Sequence, residues 1–272
     1  MHMSKLSRTE VIGIASGKGG VGKTTISVNL ALSLQRQGHR VMLFDADLGL
    51  ANAQIVLGLN CPFNLSHFLN GEKTLQEILV TAHDGLILVP GGSGIKEMAS
   101  ISSLQASAIV QAFSNFEEDI DYLIVDMAAG ISPSVLAFMA ACQRRFIVVK
   151  DDPSSIADAY GTIKVLTQDF DADEIYLIPN SVASQAEGQM LYERINKVCA
   201  QFLNRSVHYL GAIESDEQIL KAHKKYIPVV DFAPASSGAR DFRLLAEATQ
   251  RLKPLETANG GLQFFVERLL QA

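Results

Sequence analysis

Cysteine is scarce in this chain of 272 residues. There are three, Cys61, Cys142 and Cys199, far apart and with no C-x-x-C pair. That spacing argues against a zinc site and against a disulfide framework, and a reducing cytoplasm is the expected compartment. Long apolar runs are missing as well. A membrane-spanning helix needs about 20 apolar residues, and the densest run here, Val135 to Cys142, stops before Arg144-Arg145. The first ten residues are polar and lack the apolar core of a signal peptide. Positive charge is in deficit: the net charge is −6, so the molecule as a whole is not built to hold a polyanion. What remains is a globular composition, 48% hydrophobic and 19% charged, long enough for one large α/β domain.

The chemistry is concentrated in Gly17-Lys18-Gly19-Gly20-Val21-Gly22-Lys23-Thr24-Thr25. An apolar run, Val11 to Ala15, precedes it as a buried strand. Ile26, Leu30 and Leu34 follow at helical spacing. Strand, glycine-rich loop and helix form the context in which G-x-x-x-x-G-K-[ST] binds phosphate. The glycines let successive N–H groups turn inward, and the helix adds the positive end of its dipole. Lys23 is placed to reach the β- and γ-phosphates, and the Thr24 hydroxyl to ligate Mg²⁺, so ATP and Mg²⁺ are the expected cofactors. Lys18 is not required by this motif. From inside the loop it points away from its own phosphates or across a subunit boundary.

Two further apolar strands end in acids. Val41 to Phe44 leads into Asp45-Ala46-Asp47, and alternation puts the two carboxylates on one side, one for Mg²⁺ and one for an attacking water. A solvated turn with helix-capping acids is the other reading. Leu123 to Val125 leads into Asp126, an arrangement suited to the Mg²⁺ shell. Pro90 to Gly94 has no lysine and reads as a loop. Ile175 to Pro179 ends in Asn180, whose donor and acceptor match adenine N6 and N7, with a plain turn as the alternative. A short strand is expected over Ile227 to Val230. Lys221, His223, Lys224 and Lys225 read as a helix C-terminal cap rather than a nucleic-acid contact.

K-G-G-V-G-K-T-T, D-A-D-L-G-L-A-N and D-M-A-A-G together resemble the MinD/ParA family of dimerising ATPases. The D-D-P-S-S-I-A-D-A-Y stretch and F-F-V-E-R-L-L are similar to its FlhG/FleN group of flagellar-number regulators. The resemblance implies one doubly wound α/β domain with a mostly parallel sheet flanked by helices, over residues 11–254. A leader over 1–10 precedes it, and a linker with an amphipathic helix over 255–272 follows. It implies slow ATP hydrolysis with Lys18, Lys23 and Asp47 as the catalytic set, Lys18 reaching the facing subunit's nucleotide and Asp47 orienting water. Asp45 bears on the metal through water, beside Thr24 and Asp126. The Gly130 amide senses the γ-phosphate, Asp152 meets the facing nucleotide unless it is an ordinary capping acid, and Pro234 borders adenine. Met127 stands where the family carries a small hydroxyl residue.

The implied partners are a second copy of the chain, bound with ATP, and an enhancer-binding flagellar transcription activator that the protein restrains. A short leader fits the group without a GTPase-activating helix. The alternative function is spatial positioning or DNA partition of the MinD/ParA type, and the acidic balance argues against direct DNA binding. Leu262, Phe265, Val266, Leu269 and Leu270 lie on one helical face. Its three destinations are its own domain, a partner, or a membrane surface that it contacts reversibly.

Overall fold

The computed structural model describes residues 9–49, 51–92, 101–116, 118–255 and 263–265. Nine strands are found among them: β1 (Glu10–Ala15), β2 (Val41–Ala46), β3 (Val80–Thr81), β4 (Ile87–Val89), β5 (Tyr122–Met127), β6 (Arg144–Val149), β7 (Ile175–Val182), β8 (His208–Tyr209) and β9 (Ile213–Glu214). They build one sheet in the order β3-β4-β2-β5-β1-β6-β7-β8, with β9 also paired to β7. Every pairing is parallel except β3 against β4. β1 is therefore central, between β5 and β6, and its loop opens at the carboxyl edge of the sheet.

Alternate residues of each central strand serve opposite faces. Val11 and Ala15 of β1 and Met42 and Phe44 of β2 join one core, while Ile12, Ile14, Val41 and Leu43 join the other. The first core is covered by α4 (Ser103–Ala112), α5 (Pro133–Ala141), α6 (Pro153–Asp169) and α7 (Gln185–Leu203). The second is covered by α1 (Lys23–Arg36), α8 (Glu217–His223), α9 (Val229–Phe232) and α10 (Ser237–Gln250). Two short helices, α2 (Ala53–Val56) and α3 (Leu65–Leu69), follow β2. Burial on both faces explains why the strands read as continuous apolar runs. The doubly wound fold expected from the sequence is the one present.

The helix starts follow local chemistry. Ser102, Ser132, Asp152, Ser184, Asp216 and Ser236 each accept a first-turn N–H, and Pro133 and Pro153 occupy the first helical position. The tandem arginines at the start of β6 are buried. Arg144 bonds Glu10 (2.5 Å), Glu174 (2.7 Å), the Tyr176 hydroxyl (2.9 Å) and the Lys253 carbonyl. Arg145 donates to the carbonyls of Met139, Ala140 and Gln143, closing the end of α5.

The strand expected at Ile227 to Val230 is not formed. Pro228 is extended and helix α9 begins directly after it, while the Val230 N–H is taken by the Asn29 side chain. The antiparallel β3, only two residues long, carries no alternation that a sequence could show. The leader over 1–8 and most of the amphipathic helix over 262–270 lie outside the described residues. Gln263, Phe264 and Phe265 are described, and all three are buried. Phe265 has φ 55°, so the chain turns there. Phe264 meets Phe113 edge-on at 5.0 Å and approaches Phe44 and Phe138, and Phe265 meets Phe113 at 5.8 Å. The Phe264→Ala variant is expected to lose about 3 kcal/mol of unfolding free energy in urea. Phe202→Ala, at an exposed ring on α7, should stay within about 0.5 kcal/mol of the parent.

Candidate nucleotide site

Residues 16–22 connect β1 to α1 with little choice of conformation. Gly20 and Gly22 have φ of 75° and 102°, the left-handed region that favours glycine. A side chain at Gly22 would strike the Asn180 amide, and one at Gly17 would strike the backbone of Asp158 in α6. Gly19 and Gly20 instead face open space, so the loop is clamped at both ends and free in the middle. Ser16 Oγ donates to the Lys18 carbonyl (2.7 Å), and Asn180 Nδ2 donates to the Val21 carbonyl (2.6 Å). Asn180 therefore holds the phosphate loop itself. The sheet sets Ile213 of β9 beside Asn180. Pro234 is exposed after α9, with its carbonyl on Arg243 (2.7 Å).

Below the loop three charges are buried together. Lys23 begins α1 and is only 9% exposed, so desolvation lowers its pKa, with Asp126 and Asp47 opposing the shift. Asp126 is fully buried, at the end of β5. Ser27 Oγ lies 2.9 Å from Asp126 Oδ1, whereas Oδ2 has no hydrogen-bond partner. Burial pushes Asp126 up to about 6, against the hydroxyls of Thr24 and Ser27 and the charge of Lys23. Asp45 is directly opposite Asp126 in the β2–β5 register. Burial, and then the Asp126 charge, raise Asp45 well above the usual carboxylate range. Both its oxygens accept backbone N–H groups, from Asp47 (3.3 Å) and Ala53 (2.8 Å), so it shapes the loop between β2 and α2. Asp47 is half-buried, and its charge acts on Lys23 and on Asp126.

Two groups on the rim are engaged within the chain. The Gly130 N–H, at φ 89°, donates to the Ser16 carbonyl (2.9 Å). Lys18 Nζ donates to Ser154 Oγ (2.6 Å) and pairs with Asp152 (3.5 Å). Asp152 also caps α6 by accepting from Ser155 N (2.9 Å), so its capping role and its contact with Lys18 coexist. These bonds, led by Ser154, hold Asp152 below the usual carboxylate range. The basic residues of α8 are partly spent locally: Lys221 pairs with Glu217, and Lys225 lies over the Phe232 ring.

Nothing in the sequence singles out Ser27 or Ser154 for this site, and His223 reads there only as part of a helix C-terminal cap. Ser27 follows Lys23 by four residues, a helical spacing that brings it over the same carboxylate. Ser154 follows a capping Asp-Pro pair. His223 bonds Thr25 (2.9 Å) across 198 residues, a contact with no local signal.

The residues present fit a magnesium nucleotide. A buried carboxylate oxygen without a partner, a buried lysine and a glycine cradle open to solvent converge at one helix start. Among the described residues no group of three acids, histidines or cysteines is arranged to hold a metal alone. Mg²⁺ is commonly held by one or two carboxylates together with substrate phosphates.

Fold and site together define a P-loop nucleotide-binding protein of the α/β class. A family model described as CobQ/CobB/MinD/ParA nucleotide binding domain matches residues 12–229, and the chain belongs to that family. Within it the chain is closely related to flagellar regulators. It is 40% identical over 270 residues to the antiactivator FleN of Pseudomonas aeruginosa, covering 99% of this chain and 96% of that one. It is 38% identical over 267 residues to the flagellum site-determining protein YlxH of Helicobacter pylori, covering 97% and 90%. Among solved structures, the septum site-determining protein MinD of Pyrococcus horikoshii, complexed with Mg-ADP, matches with a TM-score of 0.75. The identity is 24%, over 90% of this chain and 97% of that one, which supports the shared fold. Among the described residues no helix is long and apolar enough to cross a membrane.

The raised Asp126 pKa has a definite consequence for stability. A carboxyl that titrates higher when folded stabilises the fold below its unfolded value, and that contribution is lost as pH rises through the folded value. Nucleotide-free protein in chelator should lose it between about pH 4 and pH 6. Asp126→Asn should therefore melt several degrees above the parent at about pH 7.5, and the gap should close near pH 4. Thermal melts of both proteins across that range make the comparison. A gap independent of pH would show that the carboxylate is not under desolvation strain.

Proposed function

We propose that this protein is a slow, Mg²⁺-dependent ATPase whose ATP-bound form dimerises and restrains a flagellar transcription activator of the enhancer-binding class. The observation that carries the reading is the position of Lys18. It is inside the phosphate loop, yet it is tied to the start of α6 and stays 45% exposed at the molecular face.

Residues 17–25 would cradle the phosphates, with Lys23 on the β- and γ-groups. Thr24 and Asp126 would hold Mg²⁺, which when bound neutralises phosphate charge. Asp45 keeps the Asp47 segment in shape, and Asp47 orients the attacking water. The Gly130 N–H exchanges the Ser16 carbonyl for the γ-phosphate. Lys18 exchanges Asp152 and Ser154 for phosphate oxygens of the facing subunit, leaving Asp152 on the rim of that seam. Asn180 sets the loop edge against the base, and Pro234 has only the family resemblance to recommend it. Converting a pool from 1% to 99% dimer takes about 5.5 kcal/mol. Two charge-assisted lysine–phosphate contacts at about 1.5–3 kcal/mol each are of that order.

The output is supported by kinship with an antiactivator over nearly the whole chain. Burial of Phe264 and Phe265 favours self-packing of the C-terminal segment over a membrane position. The net charge of −6 disfavours direct DNA binding. Asp47→Ala should keep ATP binding, the ATP-dependent dimer and activator binding, while phosphate release falls about 100-fold or more. Sedimentation, co-precipitation with the activator and a phosphate-release assay read the three together. Simultaneous loss of dimer and turnover would contradict separate gating and timing roles.

A further inference from the structure

Helix α1 is stitched to a distant segment at three heights along its length. Thr25 Oγ1 lies 2.9 Å from His223 Nε2 at the end of α8. One turn along, Asn29 Oδ1 accepts the Val230 N–H (3.2 Å), and its Nδ2 donates to the Thr25 carbonyl (2.8 Å). Near the far end of α1, Arg36 donates to the Val230 carbonyl (3.1 Å) and pairs with Asp231. The segment is itself fixed. Lys225 and Ile227 both return their N–H groups to the Ala222 carbonyl, and Tyr226, at φ 56°, donates to the His223 carbonyl. The backbone around His223 is thus fixed, and its exposed ring reaches Thr25 at the start of α1.

In such a loop the lysine serves the β- and γ-phosphates and the next hydroxyl serves magnesium, and Thr25 is the hydroxyl that follows them on α1. A hydroxyl has one proton and two acceptor positions. If the imidazole accepts from Thr25, that proton is spent. If Nε2–H donates into Oγ1, the proton is free for a phosphate oxygen, and Nδ1 is left toward solvent.

We propose that His223 is a nucleotide-positioning residue, which donates to Thr25 Oγ1 and so presents the Thr25 hydroxyl proton to the phosphate nearest the nucleoside. The ligand class is any nucleoside di- or triphosphate, because that phosphate is common to both. The inference rests on the nucleotide-binding reading above.

Calorimetric titration with Mg-ADP and with a non-hydrolysable Mg-ATP analogue tests it on parent, His223→Ala, His223→Gln, Thr25→Val and the His223→Ala/Thr25→Val pair. Loss of one hydrogen bond predicts a Kd about three- to ten-fold higher for His223→Ala, by the same factor for both nucleotides. His223→Gln, whose amide can donate in the same direction, should recover most of the affinity. In the Thr25→Val background, His223→Ala should have no further effect. A Thr25→Ser variant, which keeps the hydroxyl, should retain the His223 dependence and covers the case in which Thr25→Val does not fold. An unchanged Kd for His223→Ala, an effect confined to the ATP analogue, or an equal effect without the Thr25 hydroxyl would overturn the assignment. Parent protein that takes up neither nucleotide would remove the underlying nucleotide reading as well, so the two failures are distinguishable.

Discussion

Lys23, Asp45 and Asp126 are buried together where β1, β2 and β5 end, and one oxygen of Asp126 has no hydrogen-bond partner. Burial opposes the charged form of each, raising the two carboxyls and lowering the lysine. Such a cluster is a standing cost in the empty protein and becomes favourable once phosphate and magnesium enter it. The surrounding structure follows from that constraint. Glycines let backbone approach where side chains would block it, two cores brace the strands that carry the acids, and Ser27 fixes one oxygen of Asp126 while the other stays unpartnered.

The rim is built on a different principle. Lys18 and the Gly130 N–H form replaceable bonds, with an exposed ion pair and hydroxyl in one case and a single carbonyl in the other. Exposed pairs of this kind are worth about 1 kcal/mol or less. Bonds of that size are weak enough for a phosphate to replace, as the proposed switch needs. The chain thus combines a rigid, strained floor with a loose rim, the arrangement a nucleotide switch requires.

Much of this is legible in the sequence. The phosphate loop, Asp45, Asp47, Asp126 and Asn180 all lie at strand ends, and strand ends in a parallel sheet are readable from apolar runs and punctuation. The detailed roles were less legible. Asp45 reads as a metal-side or capping acid, and the structure adds that its two oxygens accept backbone N–H groups of the following loop. Asn180 reads as a base-selecting or turn residue, and the structure adds its grip on Val21. Both outcomes depend on side-chain direction, which residue type alone does not set. The strand expected near Ile227 became α9 because Asn29, about 200 residues earlier, captures a backbone N–H. His223 and Phe264 were invisible as functional or core residues for the same reason, since their partners are remote in sequence.

The proposed switch depends on Lys18 trading an intramolecular partner for a phosphate on a second copy of the chain. Solution mass by light scattering tests it most directly, with ADP and with a non-hydrolysable ATP analogue, on parent protein and Lys18→Ala. The account predicts a mass that doubles only with the analogue and only when Lys18 is present. An equal mass in all four samples, or a doubled mass in Lys18→Ala with the analogue, would contradict it.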